Sequence, residues 1–167
     1  WSEYLFCKAK QGAFANYLGG SFAGIALRDL EAGLNVLTSH RMPEDTIAAD
    51  LFYYLGQYYH FYEVTKWQKA ISYYEKALAT RVNELGNIHE RVVESYNAIG
   101  RLYMYTLSDY KNAERYFLLA LSILEKLPTR DHFALATVYF NVATANYNEG
   151  DQDKAMVYAT QCKGIID

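Results

Sequence analysis

The residues that could do chemistry are few and scattered. His40, His60, His89 and His132 are spread along a chain of 167 residues. None has a Cys or carboxylate at a metal-ligand interval such as HExxH, where two imidazoles one helical turn apart share a zinc ion. His89-Glu90-Arg91 puts a base, an acid and a cation in a row. Adjacent helical residues point to different sides, so the triplet reads as a helix start. Gly19-Gly20 lacks the Lys-Ser/Thr of a phosphate loop and follows no strand. Cys7 and Cys162 lie far apart without a CxxC and read as two reduced packing thiols, which suggests a reducing, cytoplasmic compartment. Pairs such as Glu75-Lys76 and Asp153-Lys154 read as solvated helix faces. Catalysis, a metal and a cofactor are therefore not expected. What remains is binding.

The elements that would present a binding surface are helices. Between Arg91 and Glu125, Gly100 and Tyr103 sit three apart, and Tyr110, Ala113, Phe117 and Ala120 follow at helical intervals. Small residues at Gly100, Ala113 and Ala120 allow two backbones to approach closely, with Tyr103, Tyr110 and Phe117 filling the space beside them. This is a helix hairpin. Composition agrees, with 51% hydrophobic residues, 21% charged, only two prolines and 17 tyrosines, as in a helical chain with a sizeable aromatic core. A net charge of -3 provides no basic field for nucleic acid or anionic membrane. No run of about 18 apolar residues occurs that would span a bilayer.

The hairpin pattern occurs three times. Leu55-Gly56, Tyr59, Trp67, Ala70, Tyr74 and Ala77 precede it, and Val142-Ala143, Gly150, Ala155, Ala159 and Cys162 follow. Gly56, Gly100 and Ala143 are 44 and 43 residues apart, and Ala70, Ala113 and Ala155 are 43 and 42 apart. A fixed period of this size marks a repeat array. Helices are expected near 46–62, 67–84, 90–106, 110–126, 131–148 and 152–165. Turn or cap signals stand between them at Thr65, Gly86-Asn87, Ser108-Asp109, Pro128-Thr129 and Gly150-Asp151. Residues 3–40 read as a degenerate first repeat, split at Gly19-Gly20 and stopped at Pro43. Its many small residues read as a close packing surface or a mobile end, and close packing is expected first because Leu27, Leu30, Leu34 and Leu37 form an apolar stripe on the second helix. Trp1 in place of Met, and the apolar pair Ile165-Ile166 near the other end, read as a piece of a longer protein or one processed at its N-terminus.

These residues resemble the tetratricopeptide repeat, whose pattern is Leu-Gly-x-x-Tyr followed by Ala, an aromatic and Ala. The family core has 34 residues, so the longer period here extends helices and loops. That period, with LGNIHERVVESYN and TRDHFALATVYFN, is similar to the kinesin light chain style of repeat, although Glu90 and Phe133 stand where that style has Pro after His. The resemblance covers residues 46 to 165. It implies an all-α, right-handed superhelical solenoid of antiparallel hairpins, with the first helix of each pair lining a concave face.

Counted from Gly56, Gly100 and Ala143, the resemblance places Tyr53, Gln57, His60 and Phe61, then Asn97, Arg101, Met104 and Tyr105, then Phe140, Thr144, Tyr147 and Asn148 on that face. Amides can bond the backbone of an extended peptide, and aromatic faces can take its apolar side chains. The other reading of these aromatics is core or edge packing. The Lys–Asn/Lys–Arg set that grips a C-terminal carboxylate elsewhere in the family is not matched, since Tyr53, Gln57, Asn97 and Arg101 include one cation. The expected partner is thus a protein or peptide, with no direct contact to nucleic acid or membrane. A scaffold or adaptor arm is expected first. The alternative is a peptide-sensing arm of a larger bacterial signalling protein with a DNA-binding, kinase or protease domain. Self-association through Ile165-Ile166 is a third expectation.

Overall fold

The structure, a computed structural model, describes the chain apart from residues 1, 19–21, 43–44, 130 and 167 and the side chains of residues 2, 5, 14, 16, 18 and 166. The break expected at Gly19-Gly20 and the stop expected at Pro43 lie outside the described residues. The architecture is all-α. Helices α1 (Ser2–Leu18), α2 (Ala23–Ser39), α3 (Thr46–Tyr62), α4 (Trp67–Leu85), α5 (Glu90–Tyr105), α6 (Tyr110–Leu124), α7 (His132–Glu149) and α8 (Gln152–Ile166) follow in order, with a 3-10 turn at Val64–Lys66.

Local chemistry sets most of these boundaries. The Asp45 carboxylate accepts from the Ile47 and Ala48 amides at 2.9 and 3.1 Å and starts α3. Asp109 accepts from Asn112 N, and Asp131 from Ala134 N, at the starts of α6 and α7. His89, suspected of nothing beyond a helix start, caps α5 by accepting the Arg91 amide proton on Nδ1 at 3.1 Å. Gly150 ends α7 with φ of 95°, a left-handed conformation that glycine adopts without a Cβ penalty. At α4 the 3-10 turn runs straight into Trp67.

The chain divides into two compact units, residues 1–84 and 85–167. In the first, α1 packs on α2 and α3, and α2 packs on α3. The small residues at this end serve close approach: Ala9, Gly12, Ala15 and Ala26 are buried, and Gly12 lies against the Leu30 side chain. Lys8 Nζ reaches Asp29 Oδ1 across the pair at 3.0 Å. Gly56 on α3 lies under the ring of Tyr74 on α4. Near the other end of this hairpin Arg81, 2% exposed, donates from Nη2 to Asp50 Oδ1 at 3.1 Å.

In the second unit α5 pairs with α6, α6 packs on α7, and α7 pairs with α8. Gly100 lies under Phe117, repeating the contact of the earlier hairpin. An aromatic arrangement also recurs. The Tyr73 ring on α4 stacks on Tyr59 at 5.8 Å and Phe52 at 6.4 Å, both on α3. Tyr116 on α6 stacks on Tyr103 at 5.4 Å and meets Tyr96 at 6.3 Å, both on α5. Such pairs contribute about 0.5–1.5 kcal/mol beyond the area they bury. In the last hairpin Tyr158 on α8 keeps Tyr139 at 6.3 Å. The second aromatic place on α7 is taken by Asn146, whose Nδ2 donates to Glu114 Oε1 on α6 and to Val142 O, each at 3.0 Å. That amide exchanges ring contact within a hairpin for a hydrogen bond to the preceding one.

Candidate functional site

The histidines have structural employment. His40 Nδ1 lies 2.9 Å from Ser39 Oγ and 3.2 Å from Val36 O, and His89 caps α5. His60 Nδ1 lies 3.3 Å from the Tyr74 hydroxyl. His132 opens α7 and borders an apolar cleft. Among the described residues, no group of three His, Cys, Asp or Glu side chains could hold a metal ion. Among the described residues, no helix is long and apolar enough to cross a membrane.

On α3 the residues named from the sequence split by depth. Phe61 is half exposed at 51%, Tyr53 and Gln57 are partly buried, and His60 is buried with its ring stacked on Phe61 at 4.4 Å. The Arg81 guanidinium lies 4.6 Å above the Tyr53 ring, which also contacts Tyr74 at 5.7 Å. On α5, Arg101 and Tyr105 are exposed, Asn97 is partly buried, and Met104 is 2% exposed. His60 and Met104 are therefore core residues rather than parts of a binding face. Each stands four residues after a packing glycine, Gly56 or Gly100, on the side of the helix that neighbouring helices cover here.

On α7, Phe140, Tyr147 and Asn148 are exposed and Thr144 is partly buried, with its hydroxyl donating to Phe140 O at 2.8 Å. Tyr147 also stands four residues after the packing position, Ala143, yet it is 67% exposed. Phe140, Thr144 and Tyr147 line a cleft of 470 Å³ together with Met156 and Ala159 of α8. Within the second unit α5 and α7 are joined by a hydrogen bond from Asn141 Nδ2 to Asn97 Oδ1 at 2.8 Å. Beside it a cleft of 320 Å³ has Val93, Leu124 and Val138 as its floor and Glu90, Glu94 and Thr137 at its edge. Asn141, Phe133 and Met156 were not expected at a binding face from the sequence. The signal for Asn141 was its spacing of 44 residues from Asn97, one repeat length.

The electrostatics are quiet. The Tyr139 phenol is held above its ordinary value first by burial, then by the charge of Glu125, to which its hydroxyl donates at 3.5 Å. Burial likewise raises Tyr73 and Tyr58. These phenols stay protonated and act as donors and apolar surface, not as bases. The arrangement offers rings, amides and clefts on helices held rigid by their hairpins.

Helix hairpins recurring at this period, with small residues under aromatic rings, define a helical repeat protein. The family model for the tetratricopeptide repeat matches residues 47–126, which run from α3 through α6. Over those residues the chain is similar to the tetratricopeptide-repeat family. A solved structure, that of BtubC (BKLC) from P. vanneervenii, is similar with a TM-score of 0.80 and 26% sequence identity, over 86% of this chain and 56% of that one. This chain thus spans little more than half the length of that protein. No curated protein matches the sequence.

Proposed function

We propose that the chain is a protein-interaction scaffold that holds a segment of another polypeptide on the exposed faces of α5 and α7 in its second unit. The observation that carries this reading is the Asn97–Asn141 bond, flanked by exposed Arg101 and Tyr105 on α5 and Phe140 on α7. A side-chain amide pair of this kind keeps donor and acceptor capacity for a peptide backbone, and the flanking rings take apolar side chains. The rings lose little entropy on binding because each has only two rotatable bonds. Binding of this kind uses the groups present and calls for no reacting group.

The test is selection of random displayed peptides on the whole chain, followed by affinity measurement against Tyr105→Ala. Peptides that bind the wild type and lose affinity with the variant support the reading. Failure to select any peptide that responds to substitutions on α5 or α7 overturns it.

A further inference from the structure

The buried ion pair of the first unit has half a counterpart in the second. Arg81 reaches from α4 to Asp50 on α3, with Nη2 3.1 Å from Oδ1, and its guanidinium lies 4.6 Å above the Tyr53 ring. Glu94 and Asn97 on α5 stand 44 residues after Asp50 and Tyr53, the same interval as from Gly56 to Gly100. Leu124 on α6 stands 43 residues after Arg81, the same interval as from Ala70 to Ala113. At these equivalent places the acid is kept and the cation has become leucine.

The three counterparts meet at one cavity. Glu94, Asn97 and Leu124 all line the cleft of 320 Å³ between α5 and α7. Leu124, 3% exposed, forms its floor with Val93 and Val138. A leucine side chain is shorter than an arginine and ends without a polar group, so the place that a guanidinium takes in the first unit is open here. Glu90 and Asp131 also border the cleft, and among the described residues no Lys or Arg lines it. Glu90 and Asp131 stand at helix starts, where the helix dipole favours an acid whatever lies nearby. Glu94 stands a turn further along α5, beyond that reach.

We infer that this cleft takes an arginine side chain from the bound polypeptide, in the role that Arg81 fills within the first unit. The inference rests on the scaffold reading and names the partner's chemistry at that site. The apolar floor receives the methylene stem, as such floors do for long cationic side chains. The guanidinium then meets the carboxylates at the edge. Its planar fork can bond a carboxylate through two parallel N–H groups, and it sheds water more readily than an ammonium. An apolar side chain in the same place would cover the carboxylates without answering their charge. Asn97, bonded to Asn141 at 2.8 Å, borders the same cleft, where an amide can bond the backbone of the segment that carries the arginine.

The probes are two displayed nonapeptide libraries, random except for a central residue fixed as arginine in one and methionine in the other. Methionine keeps the apolar stem and drops the charge. On the whole chain the arginine library should enrich about 5-fold or more over the methionine library, and the advantage should disappear on Glu94→Gln. Leu124→Arg, which supplies from within the cation that the first unit has, should also remove it. Glu94 is exposed, so Glu94→Gln decides the matter if Leu124→Arg fails to fold. An arginine advantage unchanged by Glu94→Gln overturns the inference, since general attraction to an acidic protein then explains it. So does an advantage seen only with Arg130→Ala, because the chain's own arginine, next to Asp131 in sequence, is then the occupant. If both libraries enrich equally and their peptides respond to Tyr105→Ala, the inference falls and the scaffold reading stands. If neither library enriches, both fall.

Discussion

Tyr74 covers Gly56 so closely that a β-carbon on the glycine would stand 2.6 Å from the ring, and Phe117 covers Gly100 at the same distance. Both rings are buried, 1% and 0% exposed. In each hairpin a missing side chain on the first helix makes room for a ring from the second. The two helices are thereby locked at short range, and the rotation of the first helix is set.

Gly100→Ala would gain up to about 1 kcal/mol of helix propensity and lose about 1–3 kcal/mol by overpacking. The expected result is net destabilisation of up to about 2 kcal/mol, partly reversed by adding Phe117→Leu. Urea unfolding of the single and double variants measures it. A Gly100→Ala protein more stable than wild type would show that the ring yields and that close approach is not the glycine's role.

Asp50 and Arg81 form an ion pair with side chains 12% and 2% exposed. Removing one partner leaves the other charge buried without its closest counter-charge, at a cost of about 3–5 kcal/mol. Asp50→Asn and Arg81→Met should each destabilise the first unit by about that amount. The double variant should cost clearly less than their sum. Additive losses in a double-mutant cycle would mean that the two groups act independently.

Asn97 and Tyr105, both expected on the binding face, should behave differently. Tyr105 is 59% exposed, so Tyr105→Ala should leave stability within about 0.5 kcal/mol. Asn97 accepts from Asn141, which is 5% exposed, so Asn97→Ala leaves a nearly buried amide short of a partner at about 1–3 kcal/mol. Thermal unfolding of the two variants separates them. Equal stability would mean that water replaces the lost acceptor.

Asp151 starts α8, and its carboxylate is held below its ordinary value first by the Lys154 amide and then by the Lys154 ammonium, each at 3.1 Å. A depressed folded value means that the contribution to α8 is present above the unfolded value of about 3.9. It disappears as pH falls through the folded value. Amide exchange in the first turn of α8 should therefore speed up below about pH 4 in the wild type, beyond the change seen in Asp151→Asn. Identical pH profiles would show that the cap contributes nothing.

Much of the fold was legible because its information is local and periodic. Small residues at Gly56, Gly100 and Ala143, with Ala70, Ala113 and Ala155, marked the hairpins, and Asp109 and Gly150 marked boundaries that the structure places nearby. The aromatic stacks were less legible. Tyr74 belongs to the repeat pattern, whereas its neighbour Tyr73, which stacks on Tyr59 and Phe52, falls outside it. Position counting along a helix specified an angular sector, and His60 and Met104 fell at its inward edge.

The sequence alone determined the all-α hairpin architecture and the type of surface chemistry, rings and amides, because helical periodicity and residue type are properties of the chain itself. Only the tertiary structure decided which of those residues are available. Tyr147, Met104 and His60 hold equivalent places in the repeat, and it is the presence or absence of packing neighbours that leaves one two-thirds exposed and buries the other two. Asn97 meets Asn141, and Asp50 meets Arg81, through the placing of whole helices against each other. That placing depends on how side-chain volumes fit across the interface, a quantity no single helix contains.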